Sequence, residues 1–121
     1  MYILWNLFTT RSVVECFDFV GLSAADSWRL SSSLEDSNFV ASVRQTAKDH
    51  AIWVSLGGMH RRPNGADVSL EKVFNSHVVV DDVGEIRSVY DKLHLFSVDI
   101  QGGPTLDENR FSIPGDIERL I

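Results

Sequence analysis

Hydrophobic and polar positions along residues 73–96 predict two β-strands joined by a tight turn. Residues 73–80 are rich in β-branched side chains, and their unbroken valine run is typical of a strand that is buried on both faces. Two aspartates and a glycine within residues 81–84 favour a turn. Residues 86–90 then alternate apolar and polar side chains, so we expect a second strand and a β-hairpin.

The longest helical pattern covers residues 33–50. Ser33 and Asp36 have the spacing of a capping box with aspartate in place of glutamate, which predicts the start of the helix. Apolar residues at helical spacing predict the face that meets the core, namely Phe39, Val40, Val43 and Ala47. Residues 51–56 follow as an apolar strand that a pair of glycines is expected to end. A helix followed at once by such a strand indicates an α/β fold.

The other segments show weaker patterns. A short apolar run at residues 13–14 precedes the acidic Glu15, and residues 21–33 are predicted to be a loop. Residues 59–69 are polar and are expected to form an exposed loop. Residues 97–115 have no regular period, so no helix or strand is predicted there.

Length and composition restrict the class of protein. The chain has 121 residues, which is one domain at most, and its net charge of −6 argues against nucleic acid or an acidic membrane surface as a partner. Its single cysteine excludes an internal disulfide and favours a reducing compartment. The apolar start, MYILWNLF, is too short to span a bilayer and lacks the features of a signal peptide. We therefore expect a cytoplasmic protein, with mitochondria as the alternative compartment.

Two places along the chain carry candidate chemistry. Lys92 follows the second strand of the hairpin among apolar neighbours: either its ammonium lies in water above a buried stem, or it is a fixed charge that could stabilise an oxyanion. Glu15 and Asp18 lie among apolar and aromatic residues in the sequence, where desolvation would raise the pKa of a carboxyl group and suit it to acid–base chemistry. The alternative for both acids is a strand end with the carboxylates turned to water.

Histidine spacing gives little support to a metal site. The spacings of the four histidines match no compact ligand pattern, and these residues are His50, His60, His77 and His94. We predict no metal and no cofactor.

With these residues in hand, the chain resembles the nitrilase superfamily of carbon–nitrogen hydrolases. Four segments follow the order of that family, namely ECFDFVG (15–21), WVSLGGMH (53–60), VFNSHVVVDDVGEIRSVYDKLHLF (73–96) and the run through GGPTLDENRFSIPG (102–115). The third segment is specific to the family. The first is similar to the branch that acts as an amidase on deaminated glutathione.

The resemblance implies a partial four-layer αββα sandwich that pairs into homodimers and hydrolyses a small amide through glutamate, lysine and cysteine. Matched residue by residue, Glu15 corresponds to the general base and Lys92 to the lysine that stabilises the tetrahedral intermediate. Glu108 corresponds to a second glutamate that helps to place the substrate and the lysine. His94, beside the lysine, has a counterpart that implies a substrate-lining position.

The sequence also departs from the family pattern. The nucleophilic cysteine is expected downstream of the proline–glycine pair at residues 114–115, and the sequence ends at Ile121. Cys16 cannot replace it, because Cys16 is adjacent to Glu15, the proposed base, and neighbouring side chains on an extended strand point to opposite faces. We therefore expect residues 1–12 to be a leader that does not match the family, and residues 13–121 to be an incomplete carbon–nitrogen hydrolase domain that is inactive alone. The alternative is a non-catalytic truncated product that pairs with or regulates a full-length homologue.

Overall fold

The computed structural model describes residues 10–13, 17–19, 21, 23–64 and 71–117. Its helices and strands, in chain order, are β1 (Thr10–Val13), α1 (Ala24–Leu30), α2 (Asn38–His50), β2 (Trp53–Arg61), β3 (Phe74–Val80), β4 (Ile86–Asp91), β5 (Ser97–Asp99), β6 (Thr105–Asp107) and a 3₁₀ helix (Glu108–Arg110).

Four strands form one mixed sheet in the order β1-β2-β3-β4. β1 runs parallel to β2, whereas β3 is antiparallel to both of its neighbours. The predicted hairpin is therefore confirmed as β3 and β4. β5 and β6 form a separate antiparallel pair within the segment for which no regular structure was predicted.

The core lies between α2 and one face of the sheet. Val40 and Ala47 of α2 are buried against apolar side chains of β2 and β3, which are Val54, Leu56, Met59, Val78 and Val80. Each such valine or leucine contributes about 1.5–3 kcal/mol when it is fully removed from water. Phe39 is 46% exposed, so the prediction that it faces the core is wrong.

The start of α2 differs from the prediction. Ser33 accepts a hydrogen bond from the Asp36 backbone at 3.1 Å, as a capping box requires, but this contact closes only a turn. The helix begins later, where the hydroxyl of Ser37 accepts from the Val40 backbone at 3.2 Å. A serine with an acidic residue three positions later stabilises an isolated turn as well as a helix end.

The prediction that strand β2 ends at its glycines is wrong. It continues to Arg61, and its pairing with β3 shifts register between Leu56 and Met59. Gly58 has φ +62°, which glycine adopts without a steric penalty, and the shift is a β-bulge. The predicted exposed loop is therefore wrong for residues 59–61, and His60 lies in the sheet.

Helix α1 lies in the segment that was predicted to be a loop. Ser23 caps its start by accepting from the Asp26 backbone at 3.1 Å. Arg62 donates two hydrogen bonds to the Trp28 carbonyl, at 3.0 and 2.7 Å, and its guanidinium lies 4.9 Å from the centre of the Trp28 ring. These contacts hold the short helix against the residue that follows β2.

Candidate active site

Lys92 is fixed by its backbone at the end of β4. Its N–H donates to the Asn75 carbonyl at 2.8 Å, and its own carbonyl accepts from the Gly115 N–H at 2.9 Å. A side chain at Gly115 would place a Cβ 2.2 Å from the Asp91 carbonyl oxygen, so this approach of two chain segments requires glycine. The lysine therefore leaves the sheet from a backbone that is held on both sides.

Glu108 begins the 3₁₀ helix and turns its carboxylate towards Lys92. Its side chain is 9% exposed. One carboxylate oxygen accepts from the Asn75 side-chain amide at 2.9 Å, and the other accepts from Lys92 Nζ at 3.0 Å and from the Phe96 N–H at 2.8 Å. Because every partner is a donor, the contacts favour the ionised carboxylate.

The electrostatic balance at Glu108 follows from these contacts. Burial raises the pKa of Glu108, but the hydrogen bonds from Asn75 and Phe96 and the ammonium of Lys92 together hold its pKa below the ordinary value. The site therefore contains an ionised glutamate paired with a lysine, and the pair stays intact at neutral pH.

Lys92 and Glu108 line a cavity of about 720 Å³. This volume is in the range of sites that bind small molecules. The other polar and charged lining residues include His60, Asn75, Asp107 and Arg110, and the aromatic ones are Phe96 and Phe111. The cavity thus combines a few charged groups with apolar walls.

His60 reaches the same cavity from β2. It pairs with Asn75 across the sheet, and Asn75 in turn accepts from the Lys92 backbone, so the three residues form a row across adjacent strands. Asp18 holds His60 by accepting from its backbone N–H at 2.7 Å and contacting its Nδ1 at 3.0 Å. From the sequence, His60 was a candidate only for a metal site, because the glycine pair before it predicted the end of the strand.

A charged network supports the residue before Lys92. Arg61 contacts both carboxylate oxygens of Asp91, at 2.6 and 3.2 Å, and Ser76 donates to the same carboxylate at 2.6 Å. The guanidinium also lies 4.7 Å from the centre of the Phe74 ring. With Arg61 14% and Asp91 10% exposed, the pair joins β2 to the end of β4 in a largely dry environment.

The structure brings two of the predicted site residues together, Lys92 and Glu108. Glu15 and Cys16 lie outside the described residues. His94 is exposed and is not among the residues that line the cavity. Within the described ranges, no group of three or more histidine, cysteine or acidic side chains is arranged to hold a metal ion.

The family profile of carbon-nitrogen hydrolases matches residues 12–120 of this sequence. The chain belongs to the carbon–nitrogen hydrolase family, which confirms the resemblance to the nitrilase superfamily. It is 38% identical over 102 residues to the nitrilase and fragile histidine triad fusion protein NitFhit of Caenorhabditis elegans, covering 84% of this chain and 22% of that protein. It is also 34% identical over 101 residues to deaminated glutathione amidase of Bos taurus, covering 84% of this chain and 30% of that protein. The chain thus spans less than a third of the length of these two relatives.

Solved structures confirm the predicted α/β fold class and its nitrilase-type architecture. The crystal structure of the C. elegans NitFhit protein superposes with a TM-score of 0.70 at 35% identity, over 88% of this chain and 25% of that one. An amidase from Nesterenkonia sp. AN1 gives a TM-score of 0.59 at 21% identity, over 88% of this chain and 35% of that one, a likeness that concerns the fold.

Among the helices that the structure describes, none has both the length and the apolar character needed to cross a membrane.

Proposed function

We propose that this chain forms part of the active site of an amidase that hydrolyses the carbon–nitrogen bond of a small amide. The observation that carries the proposal is the pairing of Lys92 Nζ with Glu108 at 3.0 Å in the wall of a cavity of about 720 Å³. Family membership supplies the reaction class, and the cavity supplies a place for a small substrate.

Lys92 is the residue that stabilises negative charge. When a nucleophile attacks an amide carbonyl, the oxygen gains a negative charge, and a fixed ammonium nearby lowers the energy of that state. The backbone hydrogen bonds of Lys92 to Asn75 and Gly115 hold the lysine in place before the reaction begins. Preorganisation of this kind means that little reorganisation is needed in the transition state.

Glu108 is a positioning residue for Lys92 in this proposal. Its carboxylate lies 3.0 Å from Lys92 Nζ and compensates the charge of a side chain that is only 29% exposed. It also links the lysine to Asn75 and to the Phe96 backbone. The lysine is thereby aimed into the cavity by a side chain that is itself held at several points.

Glu15 and a cysteine complete the proposed reaction. Glu15, as general base, takes the thiol proton of a cysteine that lies outside this sequence, and the thiolate attacks the amide carbon. The carbon–nitrogen bond then breaks as Glu15 returns the proton to the leaving amine. Water, activated by the same carboxylate, hydrolyses the thioester to a carboxylic acid and restores the thiol.

Deaminated glutathione is the substrate that we favour. Deaminated glutathione amidases from cattle, rat, mouse and human are 32–34% identical to this chain over 101 residues.

A chimeric enzyme tests the proposal. Residues 12–120 would replace the matching segment of bovine deaminated glutathione amidase, and release of the peptide amine from deaminated glutathione would be measured. We expect an active chimera whose kcat falls by about 10²–10³ with Lys92→Ala, the size found for loss of an oxyanion donor. Lys48→Ala, on the exposed face of α2, is the matched control and should leave the rate unchanged.

Two results would contradict the proposal. One is a folded, active chimera in which Lys92→Ala keeps the full rate. The other is hydrolysis of deaminated glutathione by the isolated 121-residue chain, because Cys16 is its only thiol and the proposal assigns the nucleophile elsewhere.

A further inference from the structure

The carboxylate of Asp18 contacts both the backbone and the ring of His60. This carboxylate accepts from the Phe19 backbone N–H at 2.9 Å and from the His60 backbone N–H at 2.7 Å, and it lies 3.0 Å from His60 Nδ1. An ionised carboxylate only accepts hydrogen bonds. The short contact with Nδ1 is therefore a hydrogen bond only if Nδ1 carries the hydrogen.

In the neutral ring, a hydrogen on Nδ1 determines the hydrogen-bonding role of the other ring nitrogen. In a neutral imidazole with hydrogen on Nδ1, Nε2 has a lone pair and accepts hydrogen bonds. His60 is 7% exposed, and its ring centre lies 4.9 Å from that of Phe19, so packing restricts its rotation. His60 lines the cavity, and no side chain of the described residues hydrogen-bonds to Nε2.

The position of His60 relative to Lys92 suits the two ends of one small molecule. His60, Asn75 and Lys92 lie on three adjacent strands or their extensions. Adjacent strands are about 4.8 Å apart, so the two outer residues are separated by roughly 10 Å along the sheet. Asn75 lies between them and gives its side-chain N–H to Glu108.

We propose that His60 is a specificity-determining residue whose Nε2 accepts a hydrogen bond from an N–H or O–H group of the substrate, at the end of the cavity away from Lys92. The substrate class is then a small amide that carries a second hydrogen-bond donor, such as another amide N–H, rather than a bare carboxylate at that end. Asp18 is the positioning residue that keeps Nε2 an acceptor. This inference rests on the proposed function in that the cavity must bind a small amide.

Nuclear magnetic resonance on the 121-residue chain with ¹⁵N-labelled histidine tests the inference directly. The long-range proton–nitrogen spectrum reports which ring nitrogen carries the hydrogen. We expect the Nδ1–H tautomer at His60 at mildly alkaline pH. Two probes of similar size would then be titrated: glutaramide, which ends in an amide N–H, and glutaramate, which ends in a carboxylate. Glutaramide should shift the Nε2 signal and bind about fivefold more tightly, the effect of one net hydrogen bond.

Variants of His60 and Asp18 distinguish the roles of the two ring nitrogens. His60→Asn keeps a side-chain N–H near the Nδ1 position for Asp18 but has no group at the Nε2 position, so it should lose the preference for glutaramide. His60→Gln places an amide oxygen near the Nε2 position and should retain it. Asp18→Asn should move the hydrogen to Nε2 and remove the preference. His77→Asn is the matched control, because His77 contacts Ser55 and does not line the cavity.

Several results would overturn the inference. One is a His60 ring that carries hydrogen on Nε2 or on both nitrogens in the wild-type chain, a measurement that needs no variant to fold. Another is binding of glutaramide that shifts signals of Lys92 and Glu108 but not of His60, which would leave the proposed function standing. If neither probe shifts any cavity residue, the inference and the binding role of the cavity both fail.

Discussion

At the scale of single residues, Glu108 carries most of the geometry of the site. It contacts a strand residue, a loop backbone and the lysine through one carboxylate. The sequence identified Glu108 only through the family resemblance, because an acidic residue in a segment without periodicity gives no signal of its own. Its role depends on contacts with residues up to 33 positions away, which no local pattern contains.

Replacement of Glu108 by glutamine should destabilise the fold. The neutral amide loses the charge-assisted contacts with Lys92 and Phe96, so we expect the free energy of unfolding to fall by about 1–3 kcal/mol. Urea unfolding measures this change. Glu85→Gln is the control, because the Glu85–Arg44 pair is 61% and 42% exposed and should contribute less than about 0.5 kcal/mol. Equal losses in both variants would show that burial of Glu108 has no energetic effect.

Acid should weaken the fold through the same carboxylate. The pKa of Glu108 is lowered in the folded chain, so the unfolded chain binds the proton more readily at acidic pH. The contribution of Glu108 to stability is therefore complete above the ordinary glutamate value of 4.5 and is lost as the pH falls through the lowered folded value. Unfolding midpoints measured across this range should fall more steeply for the wild type than for Glu108→Gln. Identical pH profiles would contradict the assignment.

At the scale of elements, the β3–β4 turn fits closely against α2. Arg44 donates to the Gly84 carbonyl at 2.7 Å, and a Cβ at Gly84 would lie 2.6 Å from the Arg44 carbonyl oxygen. Within the turn, burial raises the pKa of Asp81, but hydrogen bonds from the Glu85 backbone, the Arg87 side chain and the Val83 backbone lower it below its ordinary value. The hairpin and the helix are thus joined at the turn as well as through the core.

Two glycine substitutions separate steric contact from backbone conformation. Gly84 and Gly102 have similar positive φ angles, 84° and 76°, but only Gly84 has a close neighbour. Gly102→Ala should lower the free energy of unfolding by about 1–2 kcal/mol, the penalty for a left-handed conformation. Gly84→Ala should lower it by a further 1–3 kcal/mol or so, because the Cβ forces the turn away from α2. Thermal or urea unfolding compares them, and equal effects would show that the turn is free to move.

The Arg61–Asp91 pair should matter more than a surface ion pair. Lysine cannot reproduce the planar contact of Arg61 with both carboxylate oxygens or its packing on Phe74, so we expect Arg61→Lys to lower the free energy of unfolding by about 1–3 kcal/mol. Arg29→Lys is the control, since Arg29 pairs with Asp26 on the surface and should change little. If Arg61→Lys leaves the free energy of unfolding unchanged, β4 is held by its strand pairing alone.

At the scale of the whole molecule, an apolar surface borders the cavity. Phe96, Ile100 and Leu106 are each about half exposed, and Phe96 and Leu106 also line the cavity. Clustered apolar residues on a surface favour association. The homodimer implied by the family resemblance stays a prediction.

Sedimentation velocity at increasing protein concentration tests whether this surface associates. We expect the sedimentation coefficient of the wild-type chain to rise with concentration, and the double variant Ile100→Ser, Leu106→Ser to reduce the rise, because it removes apolar area from the surface. Val83→Ser is the control for an isolated exposed apolar residue at the far end of the hairpin. Equal behaviour of both variants would place any association elsewhere.

Features that depend on near neighbours along the chain could be predicted from the amino-acid pattern alone. The sequence predicted the β3–β4 hairpin, the apolar face of α2 at Val40 and Ala47, and the family. Periodicity, turn residues and motifs are local patterns, so each of these features could be recognised without the fold. The end of β2 depends on tertiary contacts, since pairing with β3 extends that strand past its glycines to Arg61. The tertiary structure also decided that Asp18 orients His60 and that Glu108 holds Lys92, because these contacts cross 42 and 16 positions and form only when separate segments pack together.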